Sequence, residues 1–306
     1  MERKNIMSDN PQTLFPIREL SELTQVNTVT IRAWERRYGL LKPQRTAKGH
    51  RLYCTEDVER VKTILAYMAK GVPVSKVKAL LAGESTQASQ TMSHQEENDS
   101  DWSLMTQQLQ NTLASHNLNK IRDTIRELML NYPVNLCYQR IIEPVSKKLT
   151  ATTGTSISEQ AAATLLHNAI IEYCILRLNT KAAKKSGASV VLICADQSPV
   201  WKLALTAIML NDANFSVIFI NQSCTLISWF SLVKQYGDST CVVFQEGVWR
   251  AEDSKKIKAF SAQQDNLLLC GTAATLAGID SQKSVPNPES ILSFLTKGQA
   301  SDENSI

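Results

Sequence analysis

Three patterns predict a multidomain chain: two helical regions, the first carrying a short hairpin, followed by an α/β region. Before residue 83, apolar residues recur at helical spacing and enclose a short basic segment with a tight turn. Over 102–182 the spacing stays helical and no strand pattern interrupts it. From Ala188 the period changes to short β-branched or leucine-rich runs separated by helical stretches, which implies a parallel sheet covered by helices. A length of 306 residues allows two or three domains, and 43% hydrophobic with 20% charged residues excludes a disordered, collagen-like or disulfide-rich chain.

The first region runs over 13–82. Ile17, Leu20 and Leu23 mark one face of a first helix, and Thr28 stands where a second helix, ending at Gly39, would be capped. Lys48-Gly49 offers a tight turn between extended pieces at 44–46 and 50–53. Thr55-Glu56-Asp57 opens a third helix striped by Val58, Val61, Ile64, Leu65 and Met68, and Pro73 a fourth with Val74, Val77, Leu80 and Leu81 inward. Residues 83–101 hold Met92 as their single large aliphatic side chain and read as a flexible linker. A helical bundle follows at 102–182, with a long apolar helix over 161–178. The α/β region spans 188–297, with strands at 189–195, 215–221, 240–245 and 266–271, and 298–306 reads as a disordered tail.

The net charge of +4 is unevenly placed. The window 28–51 carries seven basic residues (Arg32, Arg36, Arg37, Lys42, Arg45, Lys48 and Arg51) against one acid, Glu35, a net +6 that leaves −2 for the other 282 residues. At about 100° per residue, Thr28, Arg32 and Arg36 fall on one helical face. A short helix with one basic face, preceded by a helix and a tight turn, is helix-turn-helix geometry, and the following basic hairpin makes a wing. Arginine suits the task because its planar fork can hold phosphates or guanine edges with two bonds.

Residues 31–43 read IRAWERRYGLLKP and 49–53 read GHRLY. These words resemble the MerR-type DNA-binding domain, and with Val74-Ser75-Lys76-Val77-Lys78 they are similar to its MlrA-like and cobalamin-domain branches. The resemblance implies a winged-helix transcription regulator of double-stranded DNA. It assigns DNA contacts to Thr28, Thr30, Arg32, Arg36 and Arg37 on the helix and to Arg45, His50, Arg51 and Tyr53 on the wing. It also implies a homodimer, activation through RNA polymerase in some relatives, and control of biofilm or matrix genes.

The likeness extends more weakly over 101–295, to light-sensing repressors that join a helical bundle to a cobalamin-binding Rossmann-like domain. That family holds its cofactor through a D-x-H-x-x-G word after the first strand. Here the word is Asp196-Gln197-Ser198-Pro199-Val200-Trp201, so serine replaces the cobalt ligand and tryptophan the glycine. The family's bundle tryptophan and Glu-His pair correspond to Leu149 and Glu159-Gln160. The reading is a degenerate domain with no cofactor and no metal, sensing a small-molecule effector or a signalling protein, or serving only dimerisation. His167, on an apolar helix, reads as a satisfied interior histidine. Seven cysteines without a C-x-x-C pair read as buried thiols. No dinucleotide fingerprint, phosphate loop or nucleophile elbow occurs, so no enzyme is expected. The polar start and the want of a 20-residue apolar run predict a cytoplasmic protein without a membrane partner. An adaptor with sequence-blind DNA affinity is the remaining alternative.

Overall fold

A computed structural model describes residues 13–82, 93–151, 156–179, 187–196 and 198–303. The chain divides into two compact units, 1–103 and 104–306.

In the first unit, β1 (Phe15–Pro16) leads into α1 (Ile17–Thr24), α2 (Thr28–Ala33), a π-helical turn (Trp34–Tyr38), β2 (Gln44–Arg45), β3 (Arg51–Tyr53), α3 (Thr55–Ala69) and α4 (Val74–Leu81). The three strands form one antiparallel sheet in the order β1-β3-β2, with Phe15 opposite Tyr53 and Arg45 opposite Arg51. The turn between α1 and α2 is set by Gln25, in the left-handed region at φ 57°, and by Asn27, whose side chain accepts from Val29 N at 2.7 Å. Asn27 is therefore the cap, and Thr28 is the first helical residue rather than the cap. Leu20, Ile31, Trp34, Val61, Ile64, Met68 and Val77 are wholly buried, each aliphatic one contributing about 2 kcal/mol of apolar burial. The periodic stripes of the sequence are thus the core of a small winged helix.

The second unit begins within α5 (Ser93–Ala114) and continues through α6 (Leu118–Asn131), α7 (Val134–Cys137), a second π turn (Tyr138–Ile142), α8 (Glu143–Leu149) and α9 (Ile157–Asn179). Residues 93–101, expected in the linker, are helical. They contain neither Gly nor Pro, so nothing in the sequence breaks a helix there. Residues 83–92 lie outside the described part.

The α/β layer is β4 (Ser189–Ala195), α10 (Val200–Asp212), β5 (Ser216–Cys224), α11 (Leu226–Gln235), β6 (Thr240–Phe244), α12 (Ala251–Ala262), β7 (Leu267–Cys270), α13 (Thr272–Leu276), β8 (Ser284–Val285) and α14 (Ser290–Glu303). All five strands are parallel, ordered β5-β4-β6-β7-β8. The interior of β4 is buried throughout, because helices cover both faces of the sheet. The expected tail is helical as far as Glu303, and 304–306 lie outside the described part.

Helix α9 is the joint of this unit. It is 23 residues long with a mean hydropathy of 1.2, enough by length and composition to cross a membrane, which the sequence reading did not foresee. Its polar residues instead serve contacts within the unit. Glu172 accepts two bonds from Arg122 of α6, at 2.6 and 2.7 Å. Arg177 meets Asp212 of α10 at 2.6 Å, with side chains 10% and 9% exposed. His167 shares a 2.7 Å hydrogen bond with Ser146 of α8 and stacks on Trp201 of α10, ring centres 4.9 Å apart and planes 9° apart. Tyr138 packs on the same indole at 6.0 Å. Burial holds the His167 imidazole near pKa 4, so it is neutral, as an interior histidine should be.

Candidate nucleic-acid interface

The second helix is short because Ala33 passes into the π turn, which Gly39 closes. Its φ of 59° is left-handed, and its N–H donates to the carbonyls of both Glu35 and Trp34. A side chain at Gly39 would also come within 3.3 Å of Lys78 Nζ, so α4 places a cation beside the carboxyl end of this helix, where the helix dipole favours positive charge. Arg60 of α3 donates to Leu40 O at 2.6 Å, tying the segment after the helix to the core.

The wing turn is fixed by its own bonds. Thr46 N donates to His50 O at 2.9 Å, Gly49 N to Thr46 O at 2.8 Å, and His50 N to Thr46 Oγ1 at 3.0 Å. Helix and wing are then joined by the single acid of the basic window. Glu35 accepts from Arg45 at 2.9 Å through one oxygen and from the Arg51 Nε–H through the other. The Glu35 side chain is 14% exposed, Arg51 22% and Arg45 51%. The hydrogen bond to Glu35 raises the Arg51 pKa, so this guanidinium is held charged.

Six of the seven basic residues of the window are exposed, and Arg51 is half-buried. Arg32, Arg36 and Arg37 lie on the helical segment, and Arg45, Lys48 and His50 on the exposed wing. Thr28 is half-buried at the helix start.

Thr30 and Tyr53 do not fit their expected role. Thr30 is 2% exposed and Tyr53 not at all, so neither reaches a duplex from this arrangement. Thr30 lies about 200° around the helix from Thr28, on the face that meets the core. Tyr53 shares a strand face with Arg51, since side chains alternate along β3, and Phe15 of β1 stands opposite it in the sheet. Its hydroxyl is buried without a hydrogen-bond partner, and burial first, then the Glu35 charge, pushes its pKa up to about 12. Trp34, wholly buried, belongs to the core, and Tyr38 is half-buried. Sequence reasoning missed the role of Glu35. Its one signal was being the sole acid among seven cations.

The cysteines are free thiols, six buried and Cys54 half-buried. Burial raises Cys137, Cys174 and Cys194 to about 12, which leaves them protonated and unreactive. Among the described residues, no group of His, Cys, Asp or Glu could hold a metal ion.

Comparison with known proteins gives this arrangement a context. Residues 15–84 match the model of the MerR HTH family regulatory protein. The chain is 36% identical over 180 residues to the HTH-type transcriptional regulator MlrA of Escherichia coli (strain K12), covering 59% of this chain and 68% of that protein. It is 42% identical over 67 residues to the HTH-type transcriptional repressor CarH of Myxococcus xanthus, 22% of each chain. The mercuric resistance operon regulatory protein of Bacillus cereus is 36% identical over 67 residues, 22% of this chain and 51% of that protein. The likeness to MlrA therefore runs well past the length of the winged helix, whereas the other two match little more than that length.

Proposed function

The chain belongs to the MerR family of helix-turn-helix regulators, with MlrA among its relatives, and we propose that it reads a defined promoter site through α2, the π turn and the wing. The observation that carries this is the Glu35 bridge. One carboxylate holds two wing arginines against the helix, so the exposed cations on both elements face a duplex as one fixed surface. In this reading Arg32, Arg36 and Arg37 read or grip the major groove, while Arg45, Lys48 and His50 contact the backbone beside it. Arg51 divides its donors between Glu35 and phosphate. The protein acts as a homodimer on a two-fold-related site, as an activator working with RNA polymerase. Control of biofilm or matrix genes is part of this proposal, by analogy with the MlrA-like regulators that the sequence resembles.

The same reading makes the C-terminal unit a sensor of an effector or partner, without cobalamin. Trp201 occupies the position where the cobalamin-binding relatives have glycine. The indole is 4% exposed, stacked on His167 and flanked by Tyr138, so it fills the space between bundle and sheet. These residues do not fit a corrin. The unit is read as a binding module rather than a catalyst.

Footprinting on promoter DNA across a salt series tests the proposal. The full chain should protect a discrete site, and Arg32→Ala and Arg51→Ala should each weaken binding by about 1–3 kcal/mol and flatten the salt slope. Protection without sequence preference would favour the adaptor reading. Adenosylcobalamin should leave the protein colourless and its footprint unchanged, and a bound chromophore would favour the light-sensing repressor.

A further inference from the structure

The C-terminal unit contains an open cleft of about 540 Å³ that the DNA-reading role does not use. Its position follows from the strand order. The chain leaves β4 through α10 for β5 on one side, and leaves β6 through α12 for β7 on the other, so the loops after β4 and β6 part company. A crevice at such a switch point is where open α/β sheets take ligands. The volume lies within the range of small-molecule pockets.

Asp196, Trp229, Gln245, Trp249, Arg250 and Asp253 line it. The walls are fixed before any ligand arrives. The Trp249 indole N–H donates to Gln245 Oε1 at 2.7 Å. Trp229 is buried and packs edge-on against Phe230 and Phe260, ring centres 4.3 and 5.8 Å away. The charge is equally specific. Among the described residues, Asp196 and Asp253 take part in no ion pair, whereas Glu246, also on the lining, is bonded to Lys202. Arg250 is the one cation on the wall. An anionic ligand would face two carboxylates that belong to no ion pair among the described residues, against one guanidinium. A protonated amine would meet the carboxylates, and an apolar or aromatic body on that amine would pack against the Trp249 ring.

We propose that this cleft binds a small organic amine, the ammonium at Asp196 and Asp253 and the apolar body against Trp249. The inference deepens the sensor reading given above and rests on it.

The full chain is titrated with phenethylamine, followed by tryptophan emission and by calorimetry, with phenylacetate as the same ring bearing the opposite charge. Phenethylamine should give a saturable change and phenylacetate none. Asp196→Asn and Asp253→Asn should each weaken the amine about tenfold, a loss of about 1.4 kcal/mol, while keeping the wild-type circular dichroism and footprint. No saturation by about 10 mM phenethylamine, a Kd beyond the weakest useful range, overturns the proposal. So does an equal response to phenylacetate, or wild-type affinity in both variants. Amine binding by a chain that gives no footprint supports the cleft and overturns the regulator reading. An intact footprint with no amine binding overturns the cleft alone.

Discussion

In the winged helix, Glu35 grips Arg45 and Arg51 where both guanidinium groups still reach solvent. In the joint of the C-terminal unit, Arg177 and Asp212 close on each other with about a tenth of either side chain exposed. The aromatic groups divide in the same way. His50 stands exposed on the wing, whereas His167 is sandwiched between Ser146 and Trp201. The chemistry of the side chains is shared, and the difference lies in where their second partner comes from. On the wing, spare donors and a surplus of positive charge leave work for a duplex. In the joint, Arg177, Asp212 and His167 are answered from within, so these groups hold bundle and sheet together and offer little to a ligand.

The severest test of that contrast is Trp201→Ala. Removing an indole 4% exposed and stacked on His167 should destabilise the C-terminal unit by about 3–5 kcal/mol, since lost burial and a residual cavity act together. Urea denaturation followed by circular dichroism would show it. A change below about 1 kcal/mol would mean the joint collapses freely and is not the closed packing inferred here.

Acidification probes the same joint less harshly. His167 is held near pKa 4, against about 6.5 in the unfolded chain, mainly by burial and further by the Lys202 charge. Between those values the unfolded imidazole binds a proton that the folded one refuses. Its contribution is therefore complete above about pH 6.5 and is lost as pH falls toward 4. Allowing for partial exposure, the loss by pH 4.5 should be about 2 kcal/mol. Denaturation curves at pH 7 and pH 4.5 for the wild type and His167→Gln should differ by that amount, with the variant the flatter. Parallel pH slopes in the two proteins would remove His167 as the cause.

On the wing side, Glu35→Gln makes the interface more positive yet should weaken it. The neutral amide cannot hold two guanidinium groups as a carboxylate does, so the wing loses its fixed position. The expected loss in specific affinity is about 1 kcal/mol, near fivefold, while sequence-blind binding at low salt stays level or rises. Competition footprinting separates the two. Tighter specific binding would show that the arginines serve DNA better when released, and that the bridge is no positioning device.

How far the sequence disclosed this contrast depends on the range of the interaction involved. The winged helix was readable because its cues are local: a turn before Thr28, a glycine after Tyr38, a basic hairpin around Gly49. Even the misplacing of Thr30 could have been caught, since the wheel that groups Thr28, Arg32 and Arg36 sets Thr30 on the far side. The parallel sheet was readable from its buried runs, except β8, whose two residues, Ser284 and Val285, are too few to show a period. The helical start of α5 over 93–101 has no apolar stripe, so its polarity looked like a linker. Glu35 with Arg51, and His167 with Trp201, meet across 16 and 34 residues of sequence, and no local pattern records such pairs.

The mildest prediction concerns the tip of the wing. Gly49 has a φ of 81°, which an L side chain adopts only with strain, but a Cβ there would meet nothing within 4 Å. Gly49→Ala therefore carries a backbone penalty alone, about 1–2 kcal/mol in stability. The three hydrogen bonds among Thr46, Gly49 and His50 confine the distortion to the turn, and Arg45 remains tied to Glu35 below it. DNA affinity should accordingly fall less than about threefold, well under 1 kcal/mol, in a fluorescence-anisotropy titration. A glycine just past the end of β7 shows why the exposed side is the tolerant one: at Gly271 a Cβ would stand 2.3 Å from Gln245 O, against backbone that cannot move aside. A loss of tenfold or more for Gly49→Ala would mean that the turn itself, and not only the bridge at its base, is part of the DNA-reading surface.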